Sequence, residues 1–345
     1  MKIVTGQGAR ASSRIRALIL LFATLTLAPT TSCIAELECA SGDFTCDEGG
    51  MVALLAGLRP PTFAVGTNTG QVAYSSDGGF TWQSTTLPDP AATISGFISA
   101  DGLIYAYGRD SGATSAFFIS KDFETWSGPH LIPGSSGITA GGTDGLRILV
   151  VDNAGQIYEI FRDGTNTPGV IPGSGGIFYL TWVSGFWFYS DNGGNSLFYS
   201  SDGNSWNTPS VPPVDRMADL VFVGDRYWGP NDVDGYAGAS EPGNWVTDPT
   251  GNVSTGACSS NGLAVAVRTL GRYDVTFNGN GLDGSGTTSI SSDLDDVACD
   301  GSTFIAVPGI SGDFTVSRSM ALDGSWETIP NPIGAAVPQG IDLLR

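Results

Sequence analysis

Residues 75–82, SSDGGFTW, are the stretch that decides the fold: a polar turn sequence that ends on a tryptophan. Aspartate and glycine favour tight turns, because Asp bonds to nearby backbone N–H groups and Gly accepts a positive φ. Related segments recur along the chain: SKDFETW at 120–126, SSDGNSW at 200–206, SEPGNW at 240–245 and ALDGSW at 321–326. The recurrence predicts a protein built from repeats that share one kind of turn.

Two markers give the length of the repeat. The tryptophans that end these segments are spaced 44, 80, 39 and 81 residues apart. Prolines at positions 88, 133, 172, 212, 249 and 330 are spaced 45, 39, 40, 37 and 81 residues apart. Both series fit a period of about 40 residues, which is the length of one four-stranded propeller blade.

The composition agrees with short strands joined by tight turns. The chain has 49 glycines, 10% aromatic residues and only 14% charged residues. One unit predicts strands at 217–223, 226–230, 235–239 and 244–247, separated by turns rich in Gly, Asp and Asn. Residues 61–345 hold about seven such units. The sequence therefore predicts an all-β fold, a seven-bladed β-propeller with four-stranded blades.

The two ends of this region predict how the ring closes. The first unit begins directly with residues 62–65, TFAV, which are similar to the second strand of a later unit at 303–307. The chain ends with a spare strand, residues 340–344, after the last tryptophan segment. We expect this C-terminal strand to close the first blade as its innermost strand, because pairing removes an open sheet edge.

The turn segments also carry a family resemblance. Residues 75–82 match the Asp-box pattern S-x-D-x-G-x-T-W at every fixed position, and the later segments are shortened versions. From about residue 61 to 345 the chain resembles the sialidase-like Asp-box (BNR-type) β-propellers. The resemblance implies a structural role in the hairpin between the third and fourth strands of a blade, away from the ligand face, for Asp77, Gly79, Trp82, Asp122, Trp126, Asp202, Trp206, Asp323 and Trp326.

The N-terminus predicts export. Residues 2–16 carry four positive charges and no negative ones, and residues 17–28 form an apolar run too short for a membrane span. We interpret residues 1–32 as a signal peptide, 33–60 as an acidic tether and 61–345 as the propeller domain. Thr30-Thr31-Ser32-Cys33 resembles a bacterial lipobox, although Thr30 stands where the pattern usually has Leu. The resemblance implies lipidation of Cys33; ordinary cleavage nearby, with Cys33 as a thiol or disulfide partner, is the alternative.

The same resemblance predicts a location. Ile34 follows Cys33, and it is not the Asp that usually retains bacterial lipoproteins at the inner membrane. We therefore expect a lipid-anchored protein at the outer membrane or cell surface that contacts the membrane through its lipid alone. A soluble periplasmic or secreted protein is the alternative.

Four further cysteines suit an oxidising compartment. Cys39 and Cys46 enclose a short loop, which predicts a disulfide between them. Cys258 and Cys299 are 41 residues apart, nearly one period, which predicts equivalent positions on innermost strands of neighbouring blades. A bridge requires Cα atoms within about 7 Å, so either a disulfide or two buried thiols fits this pair.

Charge limits the partners. Four of the 15 basic residues precede Cys33, which leaves 11 basic against 34 acidic residues in the exported chain. A protein with this excess of negative charge repels the phosphate backbone of a nucleic acid, so we expect no nucleic-acid partner. A highly charged surface keeps a protein dispersed, and we expect a monomer. The single histidine, His130, is expected to lie in a loop, and neither a metal site nor a cofactor is predicted.

Catalytic residues are not evident. The resemblance implies that an active sialidase would need three arginines, a Tyr–Glu pair and an acid Asp, with an Arg-Ile-Pro motif early in the chain. The nearest segment, residues 59–61, reads Arg-Pro-Pro. We therefore favour a non-catalytic binding platform for a protein or glycan of unknown identity, and name no catalytic residue. A divergent, sialidase-like glycoside hydrolase is the alternative.

Overall fold

The structure is a computed structural model, and it describes residues 60–169, 177–191, 197–213, 217–231, 235–249, 254–301, 303–318 and 326–345. The predicted signal peptide, the tether with Cys33, Cys39 and Cys46, and the turn residue Asp323 lie outside the described residues.

The fold is all-β, and seven antiparallel sheets form the blades of a propeller. Blade 1 contains β1 (Thr62–Thr67), β2 (Gln71–Ser75), β3 (Gln83–Thr86) and β27 (Pro338–Leu344). Blade 2 contains β4 (Thr93–Ala100), β5 (Leu103–Arg109), β6 (Ser115–Ser120) and β7 (Trp126–Leu131). Blade 3 contains β8 (Ile138–Thr143), β9 (Ile148–Asp152), β10 (Ile157–Ile160) and β11 (Asn166–Pro168). Blades 4 and 5 contain β12 (Ile177–Val183), β13 (Phe186–Asp191), β14 (Leu197–Ser200); and β15 (Val221–Val223), β16 (Arg226–Pro230), β17 (Gly235–Ala239), β18 (Val246–Pro249). Blades 6 and 7 contain β19 (Ser254–Ser260), β20 (Leu263–Arg268), β21 (Arg272–Thr276), β22 (Gly284–Thr287); and β23 (Leu294–Asp300), β24 (Thr303–Pro308), β25 (Phe314–Ser317), β26 (Trp326–Ile329).

Blade 4 departs slightly from the pattern. Its described strands number three, and an isolated antiparallel bridge between Tyr199 and Asn207 occupies the place of the fourth strand. A short 3-10 turn, Thr269–Gly271, connects β20 to β21. Within the described residues, no helix has the length and apolarity needed to cross a lipid bilayer.

The ring closes as predicted. β27 pairs antiparallel with β1, with Thr62 opposite Leu344 and Val65 opposite Ile341. Blade 1 therefore combines the last strand of the chain with three strands from the start of the domain, in the order β27-β1-β2-β3. The predicted seven-bladed propeller, with its first blade closed by the C-terminal strand, is confirmed.

The core consists of layers between blades rather than one central mass. Each of seven apolar clusters joins two neighbouring blades, one cluster for every junction of the ring. The second strands are covered on both faces, so they do not alternate between apolar and polar residues. In β20, LAVAVR, all six residues are buried, and the same holds for TFIAVP in β24.

The two faces of the propeller differ in what they present. We call the face where each innermost strand begins the top face, and the face where it ends the bottom face. Phe63, near the start of β1, pairs with Leu343 near the end of the innermost strand β27 and with Ser75 at the end of β2. First strands therefore end, second strands begin and third strands end on the bottom face. The hairpins that join first to second strands and third to fourth strands lie on this face. The described chain begins beside this same end, at Pro60.

Candidate functional site

The predicted Asp-box residues lie in turns on the bottom face. Both carboxylate oxygens of Asp77 accept hydrogen bonds from the N–H of Thr81, at 2.9 and 3.0 Å, and one accepts the Ser75 hydroxyl at 2.8 Å. In blade 4, Asp202 accepts the N–H groups of Asn204 and Ser205 at 2.9 and 2.7 Å. These backbone donors lower the pKa of Asp202. The carboxylates of Asp77 and Asp202 therefore stabilise their own turns.

One shortened turn tolerates the loss of its glycine. Gly203 has φ +68°, and Phe123, its counterpart in blade 2, adopts the same φ although it carries a side chain. A left-handed conformation costs a non-Gly residue about 1–2 kcal/mol. Phe123 offsets this cost by stacking on Tyr74 of blade 1, with ring centroids 4.6 Å apart. Asp122 still accepts the N–H groups of Glu124 and Thr125, both at 2.9 Å.

The tryptophans of these turns pack toward the preceding blade. Trp82 lies edge-on to Phe314 of blade 7 at 5.7 Å, and Trp326 lies 5.3 Å from Tyr273 of blade 6. Trp126 belongs to the cluster between blades 1 and 2, and Trp206 packs against the cluster between blades 3 and 4. The turn segments therefore hold blades together, and none of these residues lines the central cavity.

The ring encloses a central cavity of 710 Å³, which we call the channel cavity. Innermost strands of the blades line it, and four aspartates are among the lining residues: Asp219, Asp295, Asp296 and Asp342. Among the described residues that line it, none is Lys, Arg or His. The cavity is therefore acidic, and its charge favours a cationic occupant over an anionic one.

Three of these carboxylates connect neighbouring blades. Asp219 of blade 5 accepts the N–H of Ala257 in blade 6 at 2.7 Å. Asp296 of blade 7 accepts the N–H of Ile341 in blade 1 at 3.0 Å. These two aspartates are equivalent, since each stands four residues before the last residue of its innermost strand and also accepts the N–H of the next residue. Each acts as a clamp across one blade junction.

A third clamp lies one junction further on. Asp342 of blade 1 accepts the N–H of Phe97 in blade 2 at 2.8 Å. Phenol and hydroxyl groups serve other junctions: Tyr179 donates to the carbonyl of Leu220 at 3.2 Å, and Thr255 donates to that of Leu294 at 2.7 Å. The cavity wall is therefore held together by the same side chains that give it its charge.

Enclosure changes the protonation of the carboxyl groups. Burial raises the pKa of Asp219 to about 6, against the opposing effect of its N–H bonds. Burial, with the charge of Asp219, raises the pKa of Asp342 to about 7. Burial and the charges of Asp219 and Asp342 raise the pKa of Asp296 well above its ordinary value. The three groups share one enclosed space and oppose one another's ionisation.

This arrangement predicts a pH-dependent stability. A carboxyl whose pKa is raised in the folded chain binds its proton more tightly there than in the unfolded chain, where the pKa is about 3.9. The free energy of unfolding should therefore fall as the pH rises from about 4, the pKa of an aspartate in the unfolded chain, to about 7, the pKa of Asp342 in the folded chain. Asp296→Asn keeps an acceptor for the Ile341 N–H and removes one charge. We expect this variant to melt about 3 °C higher than the unchanged chain at pH 8, and no higher at pH 4.

Thermal melts followed by circular dichroism between pH 4 and 8 measure this difference. Asp225→Asn, in the exposed turn after β15, is the matched control because it removes one charge outside the cavity. If Asp296→Asn changes the melting temperature by the same amount as Asp225→Asn at every pH, the expected repulsion in the cavity is contradicted.

The cavity wall also contains a disulfide, which joins Cys258 of β19 to Cys299 of β23 with Cα atoms 5.8 Å apart. The expectation of equivalent positions is wrong by one residue. Cys258 is two residues before the last residue of its strand, Ser260, and Cys299 is one residue before Asp300. Side chains alternate along a strand. Equivalent cysteines would both face the same neighbouring blade, whereas the offset turns them toward each other.

The arginines of the described chain do not gather at the cavity. Arg268 forms an ion pair with buried Asp274 at 3.1 Å, Arg318 with Glu327 at 2.8 Å, and Arg147 with Asp144 at 3.0 Å. These pairs lie in blades 6, 7 and 3. Arg59 and Arg216 are outside the described residues. The described cavity wall thus lacks the arginine cluster that the sialidase alternative requires, and the described residues hold no group of three or more His, Cys, Asp or Glu placed to bind a metal ion.

Solved structures show the same architecture. YCF48 bound to a D1 peptide aligns with a TM-score of 0.57 and 15% identity over 72% of this chain and 85% of that one. Virginiamycin B lyase from Staphylococcus aureus aligns at 0.56, with 16% identity over 69% and 84%. The WD40 β-propeller domain of Doa1 aligns at 0.55, with 13% identity over 72% and 85%. The likeness shows a β-propeller fold.

At these identities the likeness extends to the fold alone. No protein-family model matches the chain, and no curated protein matches it significantly. By their names, these neighbours include a peptide complex and a lyase, so the fold does not decide between binding and catalysis.

Proposed function

We propose that the chain is an exported, lipid-anchored protein of the outer membrane or cell surface, and that its propeller is a non-catalytic platform that binds a partner at the top face. One observation carries the proposal: the described chain begins at the bottom face, whereas Asp219, Asp295 and Asp296 stand at the opposite end, where innermost strands begin. Whatever precedes Pro60 is therefore joined to the domain at the end opposite these aspartates.

The chemistry of the channel cavity favours binding over catalysis. Both oxygens of Asp219 and of Asp296 accept backbone N–H groups, and Oδ2 of Asp342 accepts that of Phe97, so these oxygens already hold the wall together. A general acid or base needs instead an oxygen directed at a substrate. Asp219, with a pKa of about 6, is ionised at pH 7 and favours a protein partner that brings a positively charged segment; the positive charge would in turn favour ionisation of Asp342 and Asp296. The resemblance to Asp-box propellers adds support: it implies turns away from the ligand face, and Asp77 and Asp202 lie on the bottom face, opposite Asp219 and Asp296.

A binding experiment tests the platform. The soluble chain, residues 33–345 with Cys33→Ser, is cross-linked in a native envelope extract and the captured proteins are identified. We expect a partner whose capture falls as salt rises. Capture should fall at least about tenfold for the triple variant Asp219→Asn, Asp296→Asn, Asp342→Asn. The triple variant of exposed bottom-face residues Asp101→Asn, Asp163→Asn, Asp225→Asn is the charge-matched control.

Two assays test the remaining parts of the proposal. Radiolabelled fatty acid should be incorporated into the full chain and not into Cys33→Ala; equal labelling of both would contradict the anchor. Hydrolysis of sialosides or other glycosides by the soluble chain, lost in Asp296→Asn, would replace the platform with the glycoside hydrolase alternative.

A further inference from the structure

Two exposed apolar side chains flank the junction of blades 6 and 7 on the top face. Leu270 lies in the hairpin between β20 and β21, Ile310 lies in the hairpin between β24 and β25, and they are 62% and 61% exposed. Asp293, in the connection between the two blades, joins these hairpins. Its carboxylate accepts the N–H of Leu270 at 2.8 Å, and its carbonyl accepts the N–H of Gly309 at 3.3 Å. We call Leu270, Asp293 and Ile310 the blade 6–7 patch.

The hairpin that displays Leu270 is fixed in place. The N–H of Thr288 donates to the carbonyl of Gly271 at 2.7 Å. A side chain at position 271 would collide with the carbonyl of Ile290, so the hairpin backbone packs directly against the connection to blade 7. A partner that binds here does not have to order this part of the surface, which removes one cost of association.

Leu270 adopts a backbone conformation that is unfavourable for leucine. Its φ is +60°, in the left-handed region that favours glycine. Phe123 also has a positive φ, but it stacks its ring on Tyr74, whereas most of Leu270 is exposed. Residues held in such conformations are concentrated at sites that contact ligands. The chain therefore presents an apolar side chain to solvent at a cost that packing within the fold does not offset.

The blade 6–7 patch is continuous with the acidic opening of the channel cavity. Asp295 packs against Gly309, the residue before Ile310, and Asp295 also lines the channel cavity. Asp293 and Asp295 are two residues apart in the sequence. An extended chain rises about 3.3 Å per residue, so the patch begins roughly 7 Å from the opening.

The surroundings of the patch are acidic as well as apolar. Asp293, Asp295 and Asp313 are all exposed, and Asp313 lies on the same hairpin as Ile310. Arg272, the first residue of β21, is the exposed basic residue beside Leu270. Three acidic side chains therefore outnumber one basic side chain, and this charge disfavours an acidic partner segment.

We propose that the blade 6–7 patch selects the partner: it binds an extended protein segment in which an apolar side chain and a lysine or arginine are about two to four residues apart. The inference rests on the proposed function, because the basic side chain enters the acidic opening. The apolar side chain packs on Leu270 and Ile310, and its burial supplies affinity that charge alone does not.

A library of random dodecapeptides displayed on phage is the probe. Phage are enriched on the immobilised soluble chain, and the most enriched peptide is synthesised with a fluorescent label for titration by polarisation. We expect the enriched peptides to combine Lys or Arg with Leu, Ile, Met or Phe at the stated spacing. The double variant Leu270→Gly, Ile310→Ser should bind the synthetic peptide at least about tenfold more weakly. Serine in place of the apolar residue of the peptide should weaken binding by a similar factor.

Two further variants separate binding from folding. Leu146→Ser, Phe277→Ser is the matched control, because it removes two exposed apolar side chains from hairpins of the bottom face; it should leave binding unchanged. Glycine accepts a positive φ, so Leu270→Gly alone should bind the peptide more weakly and melt no lower than the unchanged chain. A lower melting temperature for Leu270→Gly would assign Leu270 a structural role and overturn the proposal.

The remaining outcomes distinguish failure of this proposal from failure of the platform. If binding falls in the triple variant of Asp219, Asp296 and Asp342 but not in the patch variant, the acidic opening binds without the patch and only this proposal fails. A peptide that neither variant affects binds elsewhere, which contradicts both. If no peptide is enriched, the patch does not recognise an extended segment, and the cross-linking experiment alone decides on the platform.

Discussion

Deletion of residues 338–345 should abolish cooperative folding of the propeller. The deletion removes β27 and with it the innermost strand of blade 1, so β1 becomes an open edge. Ile341 and Leu344 are 3% and 7% exposed, and burying each contributes about 2 kcal/mol. The backbone bonds of the strand contribute about 1 kcal/mol each. The loss is comparable with the whole stability of an ordinary domain, about 5–15 kcal/mol.

The deletion also removes two clamps of the channel cavity. Asp296 loses the N–H of Ile341 as its partner, and Phe97 loses the carboxylate of Asp342. Junctions on both sides of blade 1 therefore weaken together. Thermal unfolding followed by near-UV circular dichroism should show no cooperative transition above 20 °C, roughly room temperature.

A rearranged chain is the decisive control. If residues 338–345 are moved ahead of Pro60 and joined by a short turn, the strand can still pair with β1, because Leu344 and Thr62 are direct partners. We expect this variant to regain a cooperative melt. A deletion variant that melts like the unchanged chain, or a rearranged one that stays unfolded, would contradict the role assigned to β27.

The sequence predicts second and third strands better than first and fourth strands. In blade 5 the strands expected at 226–230 and 235–239 are found at those residues. They are covered on both faces, so their apolar runs are unbroken. The innermost strand was expected at 217–223 and is regular only from Val221. Met217 still pairs with Asn231 as an isolated bridge, and the ladder is interrupted between Met217 and Val221, at the place where the innermost strands of blades 6 and 7 have a shift of register. Outermost strands face solvent and carry a weaker pattern.

The candidate site was harder to predict than the fold. Sequence spacing does not distinguish Asp219, Asp296 and Asp342 from the rest of the 34 acidic residues. Two of them do carry a signal in the sequence, because Asp219 and Asp342 each interrupt a segment that is otherwise apolar, MADLVFV at 217–223 and GIDLL at 340–344. His130 lies on strand β7, so the expectation of a loop position is wrong. His130 and Arg162 line one cavity, and the sequence alone could not bring them together, because their proximity depends on how two neighbouring blades pack.

Loss of the Cys258–Cys299 disulfide should destabilise the propeller strongly. The bridge closes a loop of 41 residues between innermost strands of blades 6 and 7. A disulfide that closes a loop of this length lowers the conformational entropy of the unfolded chain and adds about 4 kcal/mol to the free energy of unfolding. For a domain of this size, a loss of that magnitude lowers the melting temperature by roughly 8–16 °C. The double variant Cys258→Ser, Cys299→Ser should show this decrease, and reductant should produce it in the unchanged chain.

Peptide mapping under non-reducing conditions should recover residues 258 and 299 in one linked fragment. The double variant Cys39→Ser, Cys46→Ser is the control, because it removes the other predicted bridge and leaves the propeller intact. Reductant should lower its melting temperature as much as that of the unchanged chain. Two alkylatable thiols at these positions, with a melt insensitive to reductant, would support buried thiols instead. The junction of blades 6 and 7 would then be held in the cavity wall without a covalent bond, by contacts such as the hydrogen bond from Thr255 to the carbonyl of Leu294.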